Sequence, residues 1–314
     1  MPRRCRPVGI LLVAALAGAC ASTSTAGPAT PTTTASTTTA STTTTVAVET
    51  GSTDIGRPDR PARLVAPEEV TAPAPLLIVL HGYTSTGAQH DSYFSATQQA
   101  ASRGLYVLLP DGTSEPETGK QFWDASPACC NFTGTPVDDV AYLSGLIDEA
   151  IATRPIDPER IYVIGHSNGG FMAYRLACDI AEKVTAIAVL SGSDQPTEAD
   201  CTPSRPVSVL HMHGTADGTI GFGGGQITAS FPGAVETMAR WAKRDGCDAT
   251  PTVGPAIDLD AGIPGAETRV SIYGGCEAGI DVQLDTIEGG AHSPTLVPES
   301  VGTDVFDWLL AHTG

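Results

Sequence analysis

A short apolar run, Ile161 to Ile164, leads without a spacer into Gly165-His166-Ser167-Asn168-Gly169, and a helical pattern opens near Gly169. This strand, tight turn and helix constrain the fold more than any other stretch of the chain. A serine held between a strand and a helix sits on a sharp, strained turn, and the flanking glycines let the two elements approach closely. The same turn lifts the hydroxyl clear of the sheet edge, so Ser167 is the candidate nucleophile.

Other apolar runs repeat the strand pattern: Leu76 to Leu80, Tyr106 to Leu109, Ala186 to Leu190, Val207 to Met212 and Val282 to Ile287. Several are apolar at every position, as strands covered on both faces are. Between them, Val140, Leu143, Ile147 and Ile151 share one helical face, behind a cap at Asp138 or Asp139. Phe306, Leu309 and Leu310 mark a closing helix. Alternating strands and helices imply an α/β fold: a mainly parallel central sheet flanked by helices on both faces, with its site at the carboxyl ends of the strands.

A serine hydroxyl needs a base, and the base needs a carboxylate, in the chain order Ser, acid, His that such a sheet uses. His292 lies in Gly289-Gly290-Ala291-His292-Ser293, just past the last apolar run, whereas His312 stands at the frayed C-terminus. His292 is therefore the expected base. Asp217 follows Val207 to Met212 through His213-Gly214-Thr215-Ala216 and is the expected acid; Asp194, after the preceding strand, is its rival.

Stabilising a tetrahedral oxyanion takes two N–H donors aimed at one point. Asn168, directly after the serine, supplies one; Tyr83, in His81-Gly82-Tyr83 after Leu76 to Leu80, supplies the other, with Thr84 as the alternative. Trp123 and His166 are placed as substrate-binding residues. His211 and His213 share one strand face. They read as buried strand-end histidines rather than metal ligands, and no metal or other cofactor is expected.

The first fifty residues stand apart. Arg3, Arg4 and Arg6 precede an apolar stretch from Val8 to Leu16 and the small-residue site Ala17-Gly18-Ala19, so residues 1–19 read as a signal peptide. Cys20 follows directly, as in a bacterial lipoprotein box, which makes it a lipidation candidate and gives the chain an expected membrane anchor. Residues 20–52 are almost all Thr, Ser, Ala and Pro, cannot bury enough surface to order, and form a linker spanning on the order of 30 Å. Residues 53–314 remain for one catalytic domain. A net charge of −18 opposes binding to nucleic acid or to anionic lipid surfaces.

Besides Cys20, six cysteines lie beyond the leader, none of them in a Cys-x-x-Cys pair, and an even count in an exported chain favours disulfides over zinc. Cys178 with Cys201, and Cys247 with Cys276, are the preferred pairs, which leaves Cys129 with Cys130. Fifteen connectivities are formally open to six cysteines.

Taken together, Leu80-His81-Gly82, the run Trp123 to Cys130, Val137 to Val140, Gly165 to Gly170, His213 to Asp217, Trp241 to Cys247 and Gly289 to His292 resemble one group of α/β-hydrolases. It is the extracellular polyhydroxybutyrate depolymerase and feruloyl esterase group. The resemblance spans nearly the whole domain and implies carboxylic ester hydrolysis with Ser167, Asp217 and His292 as the triad. It departs at Tyr83 and at Ser293-Pro294, positions that bear on substrate choice. Small-molecule or polymeric esters are the expected partners, and activity is expected to decline as pH falls through about 6 to 7, where a histidine base becomes protonated. A binding protein on a hydrolase scaffold, and a peptidase or lipase with the same triad, are the alternatives.

Overall fold

The computed structural model of the protein describes residues 51–70 and 73–314. The signal peptide, the lipidation candidate Cys20 and nearly all of the linker lie outside the described residues. Strand β1 begins at Gly51, so Gly51 and Ser52 of the segment read as linker belong to the sheet.

One ten-stranded sheet carries the domain. Its strands are β1 (Gly51–Arg57), β2 (Arg60–Ala66), β3 (Ala74–Leu80), β4 (Tyr106–Leu109), β5 (Ile156–His166), β6 (Ala186–Leu190), β7 (Ser208–Gly214), β8 (Thr252–Val253), β9 (Thr268–Tyr273) and β10 (Val282–Ile287). They lie in the order β1-β2-β4-β3-β5-β6-β7-β10-β9-β8. The six central strands, from β4 across to β10, run parallel, and they are the six apolar runs read from the sequence. At either end the sheet turns antiparallel, through β2 and β1 on one side and β9 and β8 on the other.

Alternation along each central strand feeds two cores. Leu76, Ile78, Ile161, Val163, Ile187 and Val189 face helices α3 (Asp139–Thr153), α4 (Asn168–Asp179) and α5 (Ala234–Arg244). Leu77, Val79, Tyr162, Ile164 and Leu190 face α1 (Gly87–Phe94), α2 (Ala96–Ala101) and a C-terminal helical segment with a π-helical stretch at Val301–Phe306. Covering both faces is why these strands carry no polar alternation, and each fully buried aliphatic side chain contributes roughly 1.5–3 kcal/mol.

The α3 cap is Asp138, which accepts the Ala141 N–H at 2.8 Å. Its neighbour Asp139 turns inward to pair with Arg60 at 2.7 Å. Cys178 is bonded to Cys201, Cys247 to Cys276, and Cys129 to Cys130. No helix among the described residues is long and apolar enough to cross a membrane.

Candidate active site

The chain reverses its winding between β3 and β5, the switch point at whose carboxyl end open α/β sheets place their sites. Ser167 sits at the end of β5 with φ 55° and ψ −120°, a conformation that costs a non-glycine residue on the order of 1–3 kcal/mol. The turn holds because the Ser167 N–H donates to the Leu190 carbonyl at 2.9 Å and the Phe171 N–H returns to the Ser167 carbonyl at 3.0 Å. A side chain at Gly165 would collide with the Gly169 carbonyl, and one at Gly169 with the Leu80 carbonyl. Both flanking glycines are therefore required by the close approach of β5, α4 and β3.

Asp217 and His292 come together because their two loops are stitched to one another. The Ala216 N–H donates to the Gly290 carbonyl at 2.9 Å, the Thr215 N–H to the Ile287 carbonyl at 3.0 Å, and the Gly289 N–H to Thr215 Oγ1 at 2.8 Å. His292 Nδ1 lies 2.8 Å from Asp217 Oδ2, and its Nε2 lies 3.0 Å from Ser167 Oγ. Since Asp217 is acceptor-only when ionised, Nδ1 carries the proton and Nε2 presents its lone pair to the serine hydroxyl.

Burial alone would raise the Asp217 carboxyl. Hydrogen bonding from His213 and His292 and the Thr219 N–H outweighs that and holds it well below the usual carboxylate range. The Thr219 and Ile220 N–H groups each reach Oδ1 at 2.8 Å. The rival acid, Asp194, is committed elsewhere: it is buried against Arg244 at 2.7 Å. His312 is also remote, with its ring nitrogens on the Trp308 carbonyl and on Asp281.

The loop after β3 packs on the serine, so that a Cβ added to Gly82 would stand 3.4 Å from Ser167 Cβ. In that loop the Thr84 N–H is taken by the Gln121 carbonyl at 2.8 Å. Among the described residues the Tyr83 N–H has no protein acceptor, and the Asn168 N–H belongs to the first turn of α4, where helical N–H groups lack intrahelical partners. His81 braces this loop from below: its Nδ1 donates to the Gly82 carbonyl at 2.8 Å and its Nε2 accepts the Gly112 N–H at 2.8 Å. Burial keeps that imidazole below its ordinary pKa, in the neutral form this bonding needs.

Trp123 and His166, the expected substrate contacts, are both buried against neighbouring segments. Trp123 is 0% exposed; its Nε1 donates to the His81 carbonyl at 3.0 Å, and its backbone exchanges hydrogen bonds with the Asn168 side chain at 2.7 and 3.0 Å. These contacts tie Trp123 to the loop after β3 and to the start of α4. His166 is 7% exposed and donates through Nε2 to the His292 carbonyl at 2.9 Å, while its Nδ1 faces His90 at 3.1 Å. It anchors the His292 loop, and burial lowers its pKa to about 4. His81, His90 and Tyr174 also reach these groups; His81 and Tyr174 are marked in the sequence only by an adjoining apolar run, and His90, between Gln89 and Asp91, by nothing.

A family model described as phospholipase/carboxylesterase matches residues 62–235, more than half of the chain, and the chain belongs to that family of α/β-hydrolases. The feruloyl esterase B of Piromyces equi is 32% identical over 230 residues, covering 70% of this chain and 40% of that protein. The bifunctional acetylxylan esterase/xylanase XynS20E of Neocallimastix patriciarum is 26% identical over 246 residues, covering 75% of this chain and 31% of that protein. The chain thus spans less than half the length of these two relatives. Among solved structures, an acetyl xylan esterase from Aspergillus awamori superposes with a TM-score of 0.59 at 17% identity, covering 83% of this chain and 99% of that one, a likeness of fold.

Proposed function

We propose that this protein is an exported serine esterase that hydrolyses carboxylic esters through Ser167, His292 and Asp217. The observation that carries this reading is the unbroken contact from Asp217 through His292 to Ser167, at 2.8 and 3.0 Å, between side chains 125 and 75 residues apart. His292 Nε2 takes the Ser167 proton as Oγ attacks the acyl carbonyl carbon. The oxyanion that forms is held by the Tyr83 and Asn168 N–H groups, at the positive end of the α4 dipole. The protonated His292 gives its proton to the departing alcohol, leaving an acyl group on Ser167. Water, deprotonated by His292, then attacks the acyl-enzyme and releases the acid. Asp217 fixes the imidazole tautomer and stabilises the imidazolium.

The substrates proposed are short-chain, feruloyl or acetyl, and hydroxyalkanoate esters; the names of the relatives favour the feruloyl and acetyl members. In the cell, residues 1–19 direct export, residues 20–50 form the stalk, and Cys20 carries the lipid anchor. Cys20→Ser is expected to move the protein from the membrane fraction to the medium.

A fluorophosphonate probe tests the chemistry. It is expected to label the wild-type chain and not Ser167→Ala, and Ser167→Ala is expected to lose at least about a thousandfold in kcat on p-nitrophenyl acetate. Turnover of that ester at an undiminished rate by Ser167→Ala would refute the assignment. Methyl ferulate, acetylated xylan and hydroxybutyrate oligomers, run side by side, rank the acyl classes. An amide analogue of the best ester separates esterase from peptidase.

A further inference from the structure

Behind Asp217, Tyr174 on α4 and His211 and His213 on β7 make a buried row. Tyr174 Oη lies 2.6 Å from His211 Nδ1, His211 Nε2 lies 3.0 Å from His213 Nδ1, and His213 Nε2 lies 2.7 Å from the Ile220 carbonyl and 3.3 Å from Asp217 Oδ2. All three side chains are essentially without exposed surface.

The far end fixes the direction of every proton. A carbonyl and a carboxylate only accept, so His213 Nε2 carries its hydrogen and His213 Nδ1 is a lone pair. His211 must then donate through Nε2, which leaves its own Nδ1 as an acceptor, and the Tyr174 hydroxyl must donate to it. Burial holds His211 well below its ordinary pKa and Tyr174 well above its own, so neither ring offers a competing charge state.

We propose that Tyr174, His211 and His213 form a one-way hydrogen-bond chain that positions Asp217 and withdraws charge from the oxygen that faces His292. The proposal rests on the reading of Asp217 as the triad acid. His213 acts at two points: it holds the 217–220 turn through the Ile220 carbonyl, and it faces Oδ2, the oxygen that also accepts from His292 Nδ1. Tyr174 acts at a distance by closing the row. Without its hydroxyl the buried His211 Nδ1 lone pair has no donor, and the loss of that tether loosens His211 on His213 and, through it, the His213 contacts with Ile220 and Asp217. These are positioning residues; none touches the substrate. The charged groups nearest the row are Asp217 at one end and the Asp194–Arg244 ion pair beside Tyr174, while His166 stacks near His292 with ring centroids 5.0 Å apart.

Tyr174→Phe in the full chain is the test, because it removes one buried hydroxyl and keeps the ring. The proposal expects kcat/KM to fall roughly 5- to 20-fold through kcat, with KM little changed. It also expects the acid limb of the pH profile to rise by several tenths of a unit, since an Asp217 that has lost a facing donor binds protonated His292 more tightly. In the Asp217→Asn background the same substitution is expected to have almost no further effect, the non-additivity of a shared path.

Nitrogen-15 spectra give a readout independent of activity: His211 and His213 are expected as Nε2–H tautomers in the wild type, with the His211 Nδ1 and His213 Nε2 resonances displaced in Tyr174→Phe as the first hydrogen bond is lost and the last is loosened. A wild-type His213 protonated at Nδ1 overturns the chain, as does a Tyr174→Phe enzyme that loses stability while its pH profile stays fixed. An Asp217→Asn enzyme of wild-type activity instead overturns the triad reading beneath it, so the two failures are distinguishable.

Discussion

Asp217 and Asp285 lie on neighbouring parallel strands or the turns that follow them. Asp285 on β10 stands beside Met212 on β7, and Asp217 lies in the turn just beyond β7. Both carboxyls are buried, yet they end in opposite states. Around Asp217 converge the Thr219 and Ile220 N–H groups, His292 Nδ1 and, at 3.3 Å, His213 Nε2. Asp285 receives only the Gln283 amide at 2.9 Å, and its Oδ2 has no partner among the described residues. Burial, with a smaller push from Asp304, raises Asp285 to about 7, against the opposing Gln283 hydrogen bond. Depth in the protein therefore does not decide ionisation here; the number of donors aimed at the carboxylate does. A buried acid stays ionised where the chain has converged donors on it.

The sharpest way to break this comparison is Asp217→Asn. The amide keeps the shape but presents an N–H where His292 Nδ1 donates, so the imidazole is held in the wrong tautomer. Turnover of p-nitrophenyl acetate is expected to fall by about a thousandfold to ten-thousandfold in kcat, with KM little altered. Thermal unfolding followed with pH gives the second half of the result. A depressed carboxyl contributes stability that is complete above the unfolded-state value of about 4 and is lost as pH falls through the lower folded-state value. Asp217→Asn should remove that component of acid sensitivity. An Asp217→Asn enzyme with wild-type kcat would show that the converging donors serve structure alone.

Asp285→Asn should act in the opposite sense and on stability only. A raised carboxyl binds its proton more tightly in the folded state, so the wild-type chain loses stability as pH rises from about 4 and the loss is complete above about 7. The asparagine variant is expected to match the wild type near pH 4 and to exceed it by on the order of 1–3 kcal/mol at pH 8.5, with esterase activity unchanged. Urea titrations at the two pH values read this directly. Equal stabilities at pH 8.5 would mean that Asp285 finds a donor or water in solution that offsets its burial.

What could be read from the sequence follows the same division between convergence and isolation. The six parallel strands were legible because burial on both faces leaves mostly apolar runs, uninterrupted in Leu76 to Leu80 and broken by His211 in β7 and by Gln283 and Asp285 in β10. The edge strands were not: in β1 only Ile55 is buried, and β2 buries Ala62 and Leu64 between exposed neighbours, so their sequences look like loop or linker. Ser167, Asp217 and His292 could be placed together because each stands at a fixed station after an apolar run. The buried settings of Trp123 and His166 could not be read, because residue type does not reveal which side of a loop a ring occupies. Trp123 looks toward the His81 carbonyl and His166 toward the His292 carbonyl, and both contacts join segments far apart in the chain. The donor row from Tyr174 was invisible for the same reason, since it joins a helix to a strand 37 residues further on.

Asp138 supplies a third environment and the smallest effect. It is exposed, and its Oδ1 caps α3 by accepting the Ala141 N–H at 2.8 Å. Here the single donor is a helix N–H that would otherwise face water, so the carboxylate contributes as an acceptor rather than as a charge held in place. Asp138→Ala is expected to lower stability by about 1 kcal/mol, and Asp138→Asn, which keeps an oxygen in the same position, by far less. Neither should change kcat or the pH profile, because α3 packs behind the sheet and reaches the triad only through the core. A loss near 3 kcal/mol in Asp138→Ala, or a shift in the acid limb, would mean that this exposed carboxylate acts through its charge on the site, and the rule drawn from Asp217 and Asp285 would then extend to the surface.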